Sequence, residues 1–214
     1  MKKLLSVNVA LPRMIEVHGK QVSTGIYKLP VSGPVRVHRL GLEGDGQADL
    51  TVHGGEFQAL YGYPIEHYAH WENEMGVSSY APGTFGENVT TSGLLETEVC
   101  IGDVHRMGGV MLQVTGHRLP CFKFAHKLQR PDILKPFLQS GYSGFYYKVL
   151  QEGVVAAGDE ITVLERDPRG VTVRALLGAH RMGEDVSEVV PKALEIPSLA
   201  SFVRRDFEEK MESL

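Results

Sequence analysis

The chain has 214 residues, with 22 Lys and Arg against 26 Asp and Glu for a formal charge of -4, and 43% of its residues are apolar. That length supports a well-buried core, as one large domain or a domain with a small appendage, and the composition is ordinary for a globular protein. The acidic balance excludes a sequence-wide basic field of the kind that holds a nucleic-acid backbone, so an anionic ligand needs a local basic patch.

The N-terminal apolar run is broken by Ser6, Asn8, Pro12 and Arg13, which is too short and too polar for a signal segment. No later run approaches the ~20 apolar residues of a membrane span, and a cytoplasmic location with no membrane partner is expected. In that reducing compartment the two cysteines, Cys100 and Cys121, are expected as free thiols.

In chain order, 4–9 (LLSVNV) alternates as a strand. The loop 41–55 carries Gly41, Gly44, Gly46, Gly54 and Gly55, a density that suggests positive φ or close backbone approach. Pro64 at a first helical position and Gly76 at a stop predict a helix between them, with Ile65, Tyr68, Ala69 and Met75 on its buried face. His67 and His70 lie on that helix and read as solvated side chains rather than metal ligands.

Two strand-like runs with Gly-Asp and Gly-Gly turns follow over 94–115, and 152–166 repeats the plan. Between them 130–140 is a short helix at best, because Pro136 interrupts it. Many short strands with inserted helices predict a mainly β fold with α elements, closed into a β-barrel over residues 1–168. Three amphipathic segments after it predict a C-terminal three-helix domain over 169–214, with Ser198 as an N-cap and Leu199, Phe202, Val203 and Phe207 as a stripe. A helix-turn-helix competes for this region, but its acidic end argues against nucleic acid.

The chemistry centres on GHRLPCFKF, 116–124. Arg118 and Lys123 flank Cys121, and Pro120 stiffens the backbone just before the thiol. A free thiol has a pKa of about 8.5, and lowering it by about two would make thiolate dominant, an electrostatic effect of ~2.7 kcal/mol. The alternative is a buried Cys121 beside an exposed basic loop. Cys100, between Val99 and Ile101 with no adjacent cation, reads as packing. His53 ahead of Gly54 and Gly55 suggests backbone N–H groups turned toward an anion, and Gly86, Glu87 and Asn88 form a polar turn able to hydrogen-bond a heterocycle.

The order of these motifs is more specific than any one of them. VHGG with a following QAL and GYP, then PGTFGENVTTSGL, then VCIGDVHRMGGVMLQVTGHRLPCFKFA, closely resembles the MOSC-domain proteins, related to the C-terminal part of molybdenum cofactor sulfurase, and within them the bacterial YiiM-type branch. The resemblance runs from roughly residue 35 to the C-terminus, and R-x-P-C-x-K at 118–123 and GEN at 86–88 are its most discriminating parts. One departure stands out, since several relatives carry a basic residue where this chain has Gln58.

The resemblance implies a β-barrel with a small helical domain and a pocket for the molybdenum cofactor (molybdopterin), with Cys121 as catalytic residue and sulfur ligand to molybdenum. His53, Gly54, Gly55, Phe85, Gly86, Glu87, Asn88, Arg118, Pro120 and Lys123 are its implied cofactor-binding residues, and pyridoxal phosphate binding is a further property associated with the family. It also implies a reductase of N-hydroxylated purine and base analogues, as in resistance to hydroxylaminopurine. No Gly-rich dinucleotide fingerprint opens a helix after a strand, so electrons are expected from a separate reductase protein. Two other readings stay open: a sulfur carrier bearing a persulfide on Cys121, and a binding module without chemistry. A homodimer is compatible with all three.

Overall fold

The computed structural model describes residues 1–48 and 54–212, so His53 lies outside the described residues. The chain begins with β1 (Lys3–Val9), a hairpin of β2 (Arg13–Val17) and β3 (Lys20–Thr24), and the short strands β4 (Leu29–Pro30), β5 (Val35–His38) and β6 (Gly41–Leu42). Next come β7 (Leu60–Pro64), helix α1 (Tyr68–Met75), β8 (Val89–Ser92), β9 (Val104–Met107) and β10 (Val110–His117). Helices α2 (Phe122–Lys127) and α3 (Leu134–Ser140) precede β11 (Phe145–Gln151), β12 (Gly153–Val155) and β13 (Ile161–Glu165). The C-terminal helices are α4 (Val173–Leu177), continued by a π turn over Gly178–Met182, α5 (Val186–Leu194) and α6 (Ser201–Glu212).

Eight strands form one sheet in the order β13-β9-β10-β11-β7-β8-β1-β4, and β12-β5-β6 form a smaller one. Neighbours in the large sheet are antiparallel except β7 and β8, which run parallel because the chain crosses over through α1. The expected closed barrel is not formed among the described residues: the order has two ends, β13 and β4. A short seam replaces closure. Lys3 bridges Glu160, and backbone bonds join Leu4 to Asp159 and Gly158 and Ile161 to Lys2. β1 diverges beyond that point and takes β4 as its neighbour at Asn8 and Val9, so the ladder does not continue around.

β10 shows why strand periodicity fades near the functional region. Val110, Leu112 and Val114 are buried in alternation, but Thr115, Gly116 and His117 are all buried, because the C-terminal helices cover the outer face of the strand end. Ala200 N–H donates to the Thr115 carbonyl at 2.8 Å, and a Cβ on Gly116 would lie 3.1 Å from Ala200 Cβ. The register against β11 shifts between Val114 and Gly116. A bulge of this kind turns the strand and re-aims the residues beyond it, here His117 and Arg118.

Several local expectations are corrected. Pro64 ends β7, and α1 starts only at Tyr68 after a 3₁₀ turn; it stops at Gly76 in the left-handed region (φ 66°) as expected. Ala69 is exposed and Trp71 is the buried anchor. His67 is not solvated: it is buried, stacks on Tyr142 at 3.9 Å, and its Nε2 lies 2.6 Å from Glu96. Pro136 sits in the first turn of α3, where a missing N–H costs nothing. Ser198 does not cap α6, which begins at Ser201; its Oγ donates to the Val114 carbonyl at 3.5 Å.

The apolar residues of the C-terminal helices join the core of the sheet. Val173, Leu176, Val190, Val203 and Phe207 belong to one cluster with Leu112 and Val114. A second, aromatic cluster gathers Tyr61, Tyr63, Tyr68, Trp71, Phe85, Phe124 and Phe137 beside it. Because Phe207 is fully buried in the shared core, Phe207→Ala is expected to cost about 3–5 kcal/mol. It should lower one cooperative unfolding transition in urea; a separate early transition for the helices would contradict a shared core. Among the described residues no helix is long and apolar enough to cross a membrane.

Candidate functional site

The bulged end of β10 feeds Arg118, Leu119, Pro120 and Cys121 into α2. Cys121 stands at the head of that helix with extended backbone (φ -129°), and its carbonyl accepts the first helical bonds from Phe124 and Ala125.

Cys121 is half-buried and opens onto a cleft with a cavity of about 130 Å³. Arg118, Lys123, Gly54, Gly86 and Asn88 line the same cleft, so six of the residues singled out from sequence converge. Pro120, which has no amide hydrogen, precedes the thiol without lining the cleft. Lys28, Asp45, Gln58, Tyr61 and Tyr146 are also among its lining. Among the described residues three cationic side chains, Lys28, Arg118 and Lys123, thus share the lining with one carboxylate, Asp45. That imbalance supplies the local basic patch that the overall charge does not.

Arg118 is buried, donates to the Phe85 carbonyl, and lies over the Tyr61 and Phe124 rings at 4.7 and 4.9 Å. The two aromatic rings and the Phe85 carbonyl hold the guanidinium in the cleft wall. Lys28 pairs with Asp45 at 2.5 Å. Burial pushes the Lys28 pKa down, and Asp45 offsets part of that loss. Lys127, behind the wall, donates to the Ile26 and Gly83 carbonyls at 2.9 and 2.6 Å. Burial brings its pKa down to about 7, opposed by Glu87 and reinforced by Arg118, Lys28 and Arg13.

Other sequence expectations are placed differently. Glu87 does not face the cleft. It is fully buried, with Oε1 accepting from the Tyr68 hydroxyl, Gly83 N–H at 2.6 Å and Thr90 Oγ1 at 2.7 Å, while Oε2 has no hydrogen-bond partner among the described residues. Phe85 belongs to the aromatic core and contributes its carbonyl to Arg118. The paired glycines do not offer free amides: Gly54 N–H donates to Gln58 Oε1 at 3.4 Å and Gly55 N–H to Gln47 Oε1 at 3.0 Å. Gly55 lies outside the cleft lining. Gln58 therefore holds the glycine turn.

Asn88 is committed to the wall, taking Tyr61 N–H on Oδ1 at 3.1 Å and donating to Asp45 Oδ2 at 2.8 Å. Cys100 reads as expected, since burial raises its pKa and its contacts are structural: it bridges Thr172. Sequence reasoning missed Lys28, Asp45, Tyr61 and Tyr146. Asp45 had a signal in its Gly-Asp-Gly loop; the others lie on ordinary strands and loops and are recruited only by folding.

Among the described residues no group of three or more His, Cys, Asp or Glu is placed to hold a metal ion. Cys121 offers one soft sulfur ligand, which fits a metal whose other ligands arrive with its cofactor, and the cationic wall fits a phosphate-bearing one.

The sequence model of the MOSC domain matches residues 49–162. "Uncharacterized protein YflK" of Bacillus subtilis is 42% identical over 171 residues, covering 80% of this chain and 77% of that protein. "Protein YiiM" of Escherichia coli is 36% identical over 154 residues, 71% of this chain and 69% of that one. A protein named "Reductase" from Gibberella moniliformis is 36% identical over 151 residues, which are 69% of this chain but only 27% of that protein. Among solved structures, YiiM from Geobacillus stearothermophilus superposes with a TM-score of 0.84 at 33% identity, covering 99% of this chain and 100% of that one.

Proposed function

The chain belongs to the MOSC domain family, and from that premise we propose that it binds the molybdenum cofactor and reduces N-hydroxylated purine and base analogues, with Cys121 as the sulfur ligand to molybdenum. The observation that carries this reading is the convergence of one half-buried thiol and three cations on a single cleft. The similarity to YiiM and to a larger fungal protein named reductase supports it.

When bound, the cofactor supplies two-electron oxygen-atom chemistry. The residues of the chain do the rest. Arg118, Lys28 and Lys123 hold the anionic part of the cofactor, Arg118 with the planar fork that suits phosphate. Asp45 and Asn88 keep Lys28 and the Tyr61 backbone in place. Tyr61 and Tyr146 give the cleft an aromatic wall against which a planar base can stack. Electrons come from a separate reductase protein.

The test is to isolate wild type and Cys121→Ser from cells that make molybdopterin and to measure bound molybdenum and pterin. Both should accompany wild type, and the variant should lose the metal. Persulfide on Cys121 without pterin would replace this reading with sulfur transfer.

A further inference from the structure

The tyrosines of this fold differ in how their hydroxyls are used. The Tyr61 hydroxyl donates to the Ser143 carbonyl at 2.8 Å, Tyr63 accepts from Trp71 at 2.7 Å, Tyr68 donates to Glu87, and Tyr147 bonds His105 at 2.8 Å. Buried phenols spend their hydroxyls in this way because an unpaired one is costly. The hydroxyls of Tyr80, Tyr142 and Tyr146 have no such bond among the described residues, and of these three it is Tyr146 that lines the cleft. It is half-buried. Arg118 and Cys121 line the same cleft.

Its position is rigid. Tyr146 pairs with Tyr61 on β7 and with Gly116 on β10, and its ring packs on that of Tyr61 at 5.5 Å. A side chain carried by a central strand and braced by a neighbouring ring is held closely enough to act on a bound substrate. Among the described residues its polar end is spent on no partner, and it shares the cleft lining with the thiol.

We infer that the Tyr146 hydroxyl is the proton donor to the oxygen that leaves the substrate. The role rests on the reductase reading of the cleft. Reduction of a hydroxylamine, R–NHOH, to R–NH2 breaks the N–O bond, takes up two electrons and two protons, and releases water. The electrons come from an external reductant of the flavin or iron-sulfur protein class. Tyr146 gives its proton to the departing oxygen, solvent supplies the second, and the phenolate beside Arg118 recovers its proton from water in the cleft. A phenol has an ordinary pKa of about 10 and so keeps its proton at working pH.

The test compares wild type with Tyr146→Phe, using 6-N-hydroxylaminopurine as substrate and reduced methyl viologen as electron source. Molybdenum and pterin contents should match, because the ring and the cleft wall stay in place. The expected loss is about 10²-fold in kcat with KM little changed, the usual scale of general acid catalysis. The deficit should widen from pH 6 to pH 9, since the variant must take the proton for the departing oxygen from solvent, whereas in wild type the phenol delivers it. A uniform deficit at every pH, or none, overturns the role of Tyr146 and leaves the reductase reading standing. A wild type that carries the cofactor yet reduces no N-hydroxylated base overturns both.

Discussion

Replacing Arg118 with methionine is expected to lower folding stability by about 2–4 kcal/mol and anion affinity by about 10- to 100-fold. Two losses add in the fold. The Phe85 carbonyl, on a residue that is 1% exposed, loses its donor, and an unsatisfied buried carbonyl costs about 1–3 kcal/mol. The Tyr61 and Phe124 rings lose a desolvated cation worth about 2 kcal/mol, while removing a buried charge offsets part of both. The affinity loss arises because a charge-assisted hydrogen bond is worth about 1.5–3 kcal/mol. Arg118→Lys should recover only part of each, since an ammonium lacks the planar, forked donor set of a guanidinium. Urea unfolding and calorimetry with inorganic phosphate measure the two effects separately. A methionine variant as stable as wild type and binding phosphate equally would show that Arg118 neither organises nor charges the cleft.

Acid is expected to unfold the protein well before its carboxylates are all protonated. Burial holds His117 down to about 3 and His105 down to about 4, from an ordinary 6.5. His180 and Arg181 face His117, with the Arg118 backbone offering a partial offset; Arg166 and Lys2 face His105. Neither imidazole has a carboxylate to welcome a proton, and His105 Nε2 and His117 Nδ1 are buried without partners among the described residues. His117 Nε2 bonds His180 Nδ1 at 2.9 Å, and His180 Nε2 bonds Asp206 at 2.9 Å, an arrangement that suits a neutral His117 ring.

The unfolded chain takes up these protons near pH 6.5 and the folded chain does not, so stability is lost as pH falls below 6.5 and the loss is complete only near pH 3 to 4. Each histidine contributes up to about 1.4 kcal/mol per pH unit in its window, and together they remove about 8 kcal/mol by pH 3. That matches the total stability of many domains. Urea unfolding between pH 7 and 4 should show a steep fall that is reduced in His105→Gln; a flat profile would mean that these rings are hydrated.

Elements with strong local signals are recovered from the chain alone. The Gly108–Gly109 turn between β9 and β10, the stop at Gly76 and, of the expected stripe, Val203 and Phe207 on α6 depend on backbone freedom and on period, and neighbours in sequence determine both. Phe202 is half-buried, and Leu199 is buried ahead of the helix. His67, Trp71 and the end of β10 are not readable in this way, because burial there comes from Tyr142, Glu96 and the C-terminal helices, which are distant in sequence. The open sheet is not legible either, since closure depends on whether β1 keeps β13 or takes β4 along its length.

For the functional region, the amino-acid order alone determined that Cys121 would sit between Arg118 and Lys123 behind a rigid proline, because covalent neighbours cannot be rearranged. Only the tertiary structure decided which partners meet them. Folding turned Glu87 into the core, tied the Gly54 and Gly55 amides to Gln58 and Gln47, and brought Lys28, Asp45 and Tyr146 to the thiol. The physical reason is that a cleft is made by surfaces packed from separate strands and loops, and a side chain's direction there is set by where its backbone groups find their hydrogen bonds.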